Sequence, residues 1–530
     1  MAIIDFFDRG WRINPDGVAY VMDEQEFTYN EIRELSCRIA NALVNEGFEK
    51  ETKGAVWSQN HPISWTCTLS IFRAGLAWVP INPMNTNEEN ATLLERFDAE
   101  VVFFTEMYAE SVLSIRSKLP KVRKWICIDG CPSGVISMDD FISGQPTVPP
   151  AVQYHADDLV SISPTGGTTG APKGVMHTHR SLTTFFSSFL FSTTYPANVV
   201  PVNLAAAPMT HTAGALSLPT SARGGKVVVV TKPDPKLVFE IIKKQRVTEF
   251  FLPPTVIYRL LAMLPPTKRW LAKLLKKVDF SSVHYIFYGA APMSVDKLKE
   301  AIRFFGPIMM GGYGQMEAPA SISALRPEEH FKNGIGSELA DDSRLQSVGR
   351  PSPLIQVEIM GDDNQILETG ETGEICVRGD LVMKGYYKNP EKTAETIVDG
   401  WLHTGDVGHL DSQGYLYITD RKKDMIISGG FNIYPQSVEQ VIWSHPAIQD
   451  CAVIGVPDDD WGEAVKAVVE LKPGTSVEPE EIIKLCKDKL GSVKTPKTVD
   501  IIDELPRSHA GKVLKKDLRG TYLFQDNKNR

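Results

Sequence analysis

The stretch most suggestive of chemistry is Ser163-Pro164-Thr165-Gly166-Gly167-Thr168-Thr169-Gly170-Ala171-Pro172-Lys173-Gly174, directly after the apolar run Leu159-Val160-Ser161-Ile162. Glycines let backbone N–H groups turn toward an anion, threonine hydroxyls add donors, and a lysine supplies charge. That combination suits a polyphosphate. It is not the Walker pattern, because Lys173 is followed by Gly174 rather than by Ser or Thr. A polar surface loop is the competing reading of the same residues. Three more stretches stand out: Gly311-Gly312-Tyr313-Gly314-Gln315-Met316-Glu317, Trp401-Leu402-His403-Thr404-Gly405-Asp406, and Leu505-Pro506-Arg507-Ser508-His509-Ala510-Gly511-Lys512-Val513. Taken singly, each has a plain alternative: a turn, an aspartate favoured after glycine, and a solvated surface lysine.

Together, and in this order, the four resemble the motifs of the adenylate-forming superfamily, which holds acyl-CoA synthetases, peptide-synthetase adenylation domains and luciferases. The resemblance covers about Asp158 to Lys515. Gly166 stands where the family pattern has serine, which removes one hydroxyl and keeps a flexible cradle. The resemblance implies that Thr165, Gly166, Gly167, Thr168, Thr169, Gly170 and Lys173 hold the phosphates of ATP, with Lys173 also serving catalysis. It implies that Tyr313 lies against adenine, beside Gly312, Gly314 and Gln315, and that Glu317 with Thr165 holds Mg²⁺. An acidic oxygen suits a hard cation that bridges phosphates. Met316 departs from the family's threonine, the residue that meets the α-phosphate. Tyr288-Gly289-Ala290-Ala291-Pro292 resembles the segment whose backbone borders adenine.

By the same resemblance Asp406 accepts hydrogen bonds from both ribose hydroxyls, a task fitted to two carboxylate oxygens, with Arg421 as its partner. Lys512 is the implied catalytic lysine. Its ammonium would offset the repulsion between a carboxylate and an anionic α-phosphate as charge builds in the transition state. Lys423 matches the family's hinge position, and Gly429 and Gly430 would line a tunnel for the pantetheine arm of coenzyme A after the small domain swings.

The expected reaction is that of an ATP-dependent, AMP-forming acid:CoA ligase acting through an acyl-adenylate. For the acyl pocket, His211 is a candidate contact or gate, with a structural histidine as the alternative, and Phe250, Phe251 and Leu252 are expected to border the cavity. The lack of bulk at Gly311 and Gly312 favours a medium-chain, aryl or cyclic acid. An amino-acid adenylation module would place an aspartate near His211, and none occurs between Ala207 and Leu216. A stand-alone loader of a carrier protein and a luciferase-like oxygenase share the nucleotide motifs.

The elements that must position these residues read as alternating helices and strands. Thr28 and Glu31 form a capping box ahead of Ile32, Leu35, Ile39 and Leu43 at helical spacing, and Gly47 is placed to close that helix. Apolar runs at 55–57, 101–104, 227–230 and 285–288 predict strands, and 65–73 and 236–244 predict helices. This is the alternation of a layered α/β fold. Beyond about residue 370 the chain turns Gly-rich, and after the charged segment Asp420-Arg421-Lys422-Lys423-Asp424 a compact tail follows. The expected organisation is a large N-terminal domain of layered α/β subdomains over 1–420, a hinge at 421–424 and a small mobile α+β domain over 425–530.

At 530 residues the chain exceeds one ordinary core. A net charge of −9 argues against a nucleic-acid partner. Seven cysteines, an odd number, give no disulfide framework, and Cys127 with Cys131 lacks the second pair of a zinc site. No apolar run approaches a bilayer span, and neither end carries an evident address or lipidation signal. The expectation is a cytoplasmic enzyme of a small carboxylic acid, with a homodimer left open.

Overall fold

A computed structural model describes residues 1–165, 172–210, 212–231, 234–262, 279–458, 461–507 and 513–526. Among the described residues, two large sheets form the body. The first runs, edge to edge, through the strands at 350–351, 318–325, 309–315, 285–289, 249–251, 202–205, 226–229, 18–22 and 25–28. Its six central strands, from 309–315 across to 18–22, are parallel neighbours. The second runs through 385–386, 173–178, 159–165, 77–80, 53–57, 99–104, 124–127 and 136–137. Helices cover such parallel strands on both faces, which is why the strands read as continuous apolar runs rather than as alternations.

The expected local signals hold. Helix Tyr29–Asn45 carries the Thr28–Glu31 capping box, and Gly47 takes φ +74° just past its end. Strands Lys53–Trp57, Ala99–Phe104 and Tyr285–Gly289 and helices Pro62–Arg73 and Pro235–Gln245 contain the runs picked from sequence, and strand Lys226–Val229 takes in the fourth run except its last residue, Val230. The two large sheets meet over a core in which Trp65 and Leu69 pack with Phe185 and Phe186 of helix His179–Ser192 and with Phe6 and Phe7 near the N-terminus.

A five-stranded sheet of 356–360, 373–378, 401–410, 397–398 and 416–421 follows. A short turn of 3₁₀ helix, Lys422–Asp424, then leads to a second five-stranded sheet built wholly from later residues. In that sheet Ile448–Asp458 pairs antiparallel with Gly462–Leu471. Helices Pro435–Trp443 and Pro479–Leu490 cover it, with a core of its own that includes Ile433, Val438, Val453 and Ile482.

The turn at 422–424 is tied to both sides. The Asp420 carboxylate accepts from the backbone N–H of Gln436 at 2.8 Å, in the first turn of helix Pro435–Trp443, where an anion also meets the positive end of the helix dipole. Lys515 pairs with the buried Glu439 at 2.8 Å, and its charge opposes the burial that raises the pKa of Asp420. Arg519 pairs with Asp424 at 2.9 Å.

Candidate active site

A cavity of about 900 Å³ lies where the C-terminal ends of the first sheet's central strands face the 159–178 hairpin. The hairpin places Thr165 directly opposite Lys173, one on each side of the Gly/Thr loop. Both border the cavity, together with Glu317, Arg421 and Lys423. Gly166, Gly167, Thr168, Thr169 and Gly170 lie outside the described residues, as do His211 and Lys512. The cavity's other arm is apolar and aromatic, with Trp65, Phe185, Phe189, Phe251, Phe287 and Met310 on its walls. The rings of Phe189 and Phe287 stand 4.8 Å apart there.

The wall between the two arms is backbone. Strands Tyr285–Gly289 and Met309–Gln315 run side by side with Gly289 opposite Gly312. A Cβ on Gly289 would fall 2.4 Å from the Gly312 carbonyl oxygen, so only glycine allows this approach. A Cβ on Gly312 would meet nothing nearer than 3.8 Å, and its absence leaves open space on the wall. A Cβ on Gly311 would come within 2.9 Å of the Tyr288 hydroxyl. Ala290 borders the cavity in the left-handed region at φ +65°, an uncommon conformation for a residue with a Cβ. Gly289, Gly314, Gln315 and Met316 also border it.

Several expected residues sit elsewhere. Phe250 is not a pocket residue: it is buried at 1 % exposure among Leu204, Val228 and Ile286 on the far face of the sheet, while Phe251 faces the cavity. Successive residues of a strand point to opposite faces. Tyr313 stands behind the wall by the same alternation, and its hydroxyl donates to Asp406 Oδ2 at 2.7 Å. Asp406 Oδ1 pairs with Arg421 Nε at 2.8 Å across adjoining strands. Asp406 and Ala291 likewise do not border the cavity, although each Asp406 oxygen keeps a lone pair for a further donor. Gly429 and Gly430 form a two-residue hairpin turn with φ +57° and +81°, which explains both glycines locally. They lie away from the cavity, beside the exposed side chains of Ile427, Phe431 and Trp461.

Two residues had no place in the motif reading. His177 borders the cavity, is 2 % exposed, and its Nε2 lies 2.9 Å from the Met316 carbonyl oxygen. A carbonyl only accepts, so Nε2 carries the hydrogen, and Nδ1 accepts from the Ser181 hydroxyl at 3.3 Å. Burial pushes the imidazole pKa down to about 4, so the ring is a neutral strut between the hairpin and the Met316-Glu317 pair. Tyr386 donates its hydroxyl to Glu317 Oε1 at 2.6 Å. The sequence signals for both were thin: a histidine one residue before the capping Thr178, and an aromatic after Gly385.

The charges around the cavity are matched at its other mouth. Glu329 pairs with Arg350 at 3.2 Å and Arg326 at 3.5 Å, so no spare carboxylate faces the apolar arm among the described residues. Nor, among the described residues, do three or more His, Cys, Asp or Glu side chains gather to hold a metal. A cation carried by a polyphosphate needs only one or two protein carboxylates, and Glu317 fits that requirement.

Known proteins agree with this arrangement. The family model described as AMP-binding enzyme matches residues 7–387, and that of the AMP-binding enzyme C-terminal domain matches 437–512. The chain belongs to the AMP-binding enzyme family. Within it, a medium/long-chain-fatty-acid–CoA ligase, FadD8, of Mycobacterium tuberculosis is 37% identical over 428 residues, 78% of this chain and 71% of that protein. A feruloyl-CoA synthase of an Amycolatopsis species is 34% identical over 513 residues, 96% of each. Among solved structures, the amide bond synthetase McbA of Marinactinospora thermotolerans superposes with a TM-score of 0.86 at 29% identity, covering 98% of this chain and all of that one. ATP-bound MatB of Rhodopseudomonas palustris scores 0.85 and its apo form 0.76, both at 27% identity with 98% of this chain and 99% of MatB covered. The arrangement of this member of the family is thus nearer the ATP-bound form of that relative than its apo form.

Proposed function

We propose that the chain is an AMP-forming carboxylic acid:CoA ligase, taking ATP, an apolar acid and coenzyme A to an acyl thioester, AMP and pyrophosphate. One observation carries the reading: a single cavity joins a cationic end, with Lys173 and Arg421, to an aromatic arm with no spare carboxylate among the described residues. Its 900 Å³ lies at the upper end of the range for ligand sites, as a nucleotide plus an acid requires.

In the first step a substrate carboxylate oxygen attacks the α-phosphorus, and the bond to the bridging oxygen of pyrophosphate breaks. Lys173 and the Gly/Thr loop hold the departing phosphates. Glu317, with Thr165, would hold Mg²⁺, which would supply positive charge to offset that of the phosphates. In this reading Lys512 would offset the charge between the carboxylate and the α-phosphate, Asp406 would accept from the ribose hydroxyls through its remaining lone pairs, and the backbone at Gly289, Ala290 and Gly312, which borders the cavity, would border the adenylate. Holding the reactants in line and compensating their charge supply most of the barrier lowering in such a transfer. In the second step the thiolate of coenzyme A attacks the acyl carbonyl and AMP leaves.

The same small domain serves both steps, with 1–420 and 425–530 turning about 421–424. The ties of Asp420 to Gln436 and of Arg519 to Asp424 belong to the arrangement seen here. The exposed Ile427, Phe431 and Trp461, at 53 %, 56 % and 46 %, support a second pose in which this edge meets the large domain around the pantetheine arm. Lys423→Pro, which locks φ at the joint, is expected to slow thioester formation from supplied acyl-adenylate at least about tenfold more than it slows adenylation, by analogy with other hinge changes. Equal slowing of both half-reactions would remove the hinge role from Lys423.

The aromatic arm supports a medium- or long-chain, aryl or cyclic acid. All seven cysteines are unpaired, six of them buried at 0 % to 3 % exposure, which suits a reducing compartment, and we place the reaction in the cytoplasm. The test is pyrophosphate release with MgATP across straight-chain, aryl and cyclic acids, each with and without coenzyme A. Acid-dependent release that yields AMP and acyl-CoA supports the ligase. Release with thioester formation absent, but an amide or a carrier-bound product present, would assign a different acceptor.

A further inference from the structure

Tyr386 sits on the short strand Gly385–Tyr386, which adds to the edge of the Lys173–Thr178 strand with Tyr386 opposite Val175. From there its hydroxyl reaches Glu317 Oε1 at 2.6 Å, while its ring centroid lies 5.2 Å from Lys173 Nζ. A cation at that distance is drawn to the ring's negative face. One side chain therefore touches both the acid and the base at the cationic end of the cavity. The backbone repeats the link: Met383 N–H donates to the Glu317 carbonyl at 2.8 Å, and His177 donates to the neighbouring Met316 carbonyl at 2.9 Å. The Glu317 backbone is thus fixed independently of Tyr386, and what the Tyr386 hydroxyl adds is the direction of the carboxylate. No hydrogen bond to Glu317 Oε2 is present among the described residues.

We propose that Tyr386 is a positioning residue for the metal-nucleotide: its hydroxyl engages Oε1 of Glu317 so that Oε2 is presented to the cation, and its ring spaces Lys173 from that carboxylate. This rests on the reading of Glu317 as the metal-binding carboxylate. Without the hydroxyl the carboxylate swings among rotamers that must be frozen when the cation arrives. Groups that orient a metal ligand from behind are commonly worth 10- to 100-fold in metal affinity. Tyr386 touches neither reacting atom, so its effect belongs in cation binding rather than in the chemistry itself.

The experiment uses the full chain, Mn²⁺ as the cation and a non-cleavable α,β-methylene analogue of ATP. Mn²⁺ bound to the enzyme–analogue complex is counted by electron paramagnetic resonance, and analogue binding without metal is measured by calorimetry. Tyr386→Phe, which removes one hydroxyl, is expected to weaken Mn²⁺ binding about tenfold and to leave metal-free analogue binding within about twofold. Tyr386→Leu, which also removes the ring beside Lys173, is expected to weaken the metal-free analogue as well. Glu317→Gln runs in parallel. Loss of Mn²⁺ binding in Glu317→Gln with none in Tyr386→Phe overturns the role of Tyr386 alone. Full Mn²⁺ binding in both overturns the reading of Glu317, and equal losses with and without metal in Tyr386→Phe mark it as merely structural.

Discussion

Lys512→Ala is expected to slow acyl-adenylate formation by roughly 100-fold or more, while thioester formation from supplied acyl-adenylate stays within a few-fold of the unsubstituted enzyme. The asymmetry follows from the charges. In the first half-reaction an anion must approach the α-phosphate of a polyanion, and a fixed ammonium between them is worth most when charge is concentrated in the transition state. In the second, the acyl carbonyl meets a thiolate, the nucleotide has already lost two phosphates, and that compensation is no longer required at the same place. Lys512 itself lies outside the described residues, but its flanks are held firmly. Arg507 pairs with Asp450 at 2.8 Å and Glu470 at 3.0 Å, and it bridges to Val513. Lys515 is anchored to Glu439 at 2.8 Å. A substitution between such anchors should remove a charge without unseating the small sheet. Pyrophosphate exchange reports the first half-reaction and thioester formation from acyl-adenylate the second; equal losses in both would withdraw the assignment.

Arg73→Ala is the substitution with the largest expected cost in stability, about 3–5 kcal/mol. Arg73 is 1 % exposed at the end of helix Pro62–Arg73. Its guanidinium meets both oxygens of Asp8 at 2.6 and 2.9 Å and the Ser36 hydroxyl at 3.0 Å, joining the first three helices of the chain. Truncation leaves the Asp8 carboxylate buried, with Arg33 at 3.9 Å as its remaining cation. The cost should reach the site, because the segment leading into helix Asp5–Ile13 carries Ile3, which borders the cavity and whose N–H donates to His179 at 3.1 Å. Denaturant unfolding followed through the large domain measures the loss, and a shift below about 1 kcal/mol, the range of an exposed pair, would show that the pair is not buried in effect. Replacing Asp8 and Arg73 together by apolar residues of similar volume should recover much of the loss, since no unpaired charge then remains.

The amino-acid sequence by itself determined what depends on neighbours along the chain. The capping box at Thr28 and Glu31 and the closing Gly47 are local hydrogen-bond and backbone decisions, legible within one helix. The Gly/Thr loop with Lys173, the Asp406–Arg421 pair and the turn at 422–424 were named from motifs only a few residues long. The tertiary structure alone decided which side chains share a face and which distant ones meet. Phe250 and Phe251 are chemically the same, and strand alternation gives the core to one and the cavity to the other. Tyr386 reaches Glu317 across 69 residues of sequence, His177 reaches Met316 across 139, and Arg73 reaches Asp8 across 65. Such pairs leave no periodic trace, because a hydrogen bond between remote segments constrains two single positions and not a pattern. They become visible only when sheet order brings the strands together, as when the edge strand 385–386 joins 173–178 and sets a tyrosine beside the glutamate in the turn between strands 309–315 and 318–325 of the other sheet.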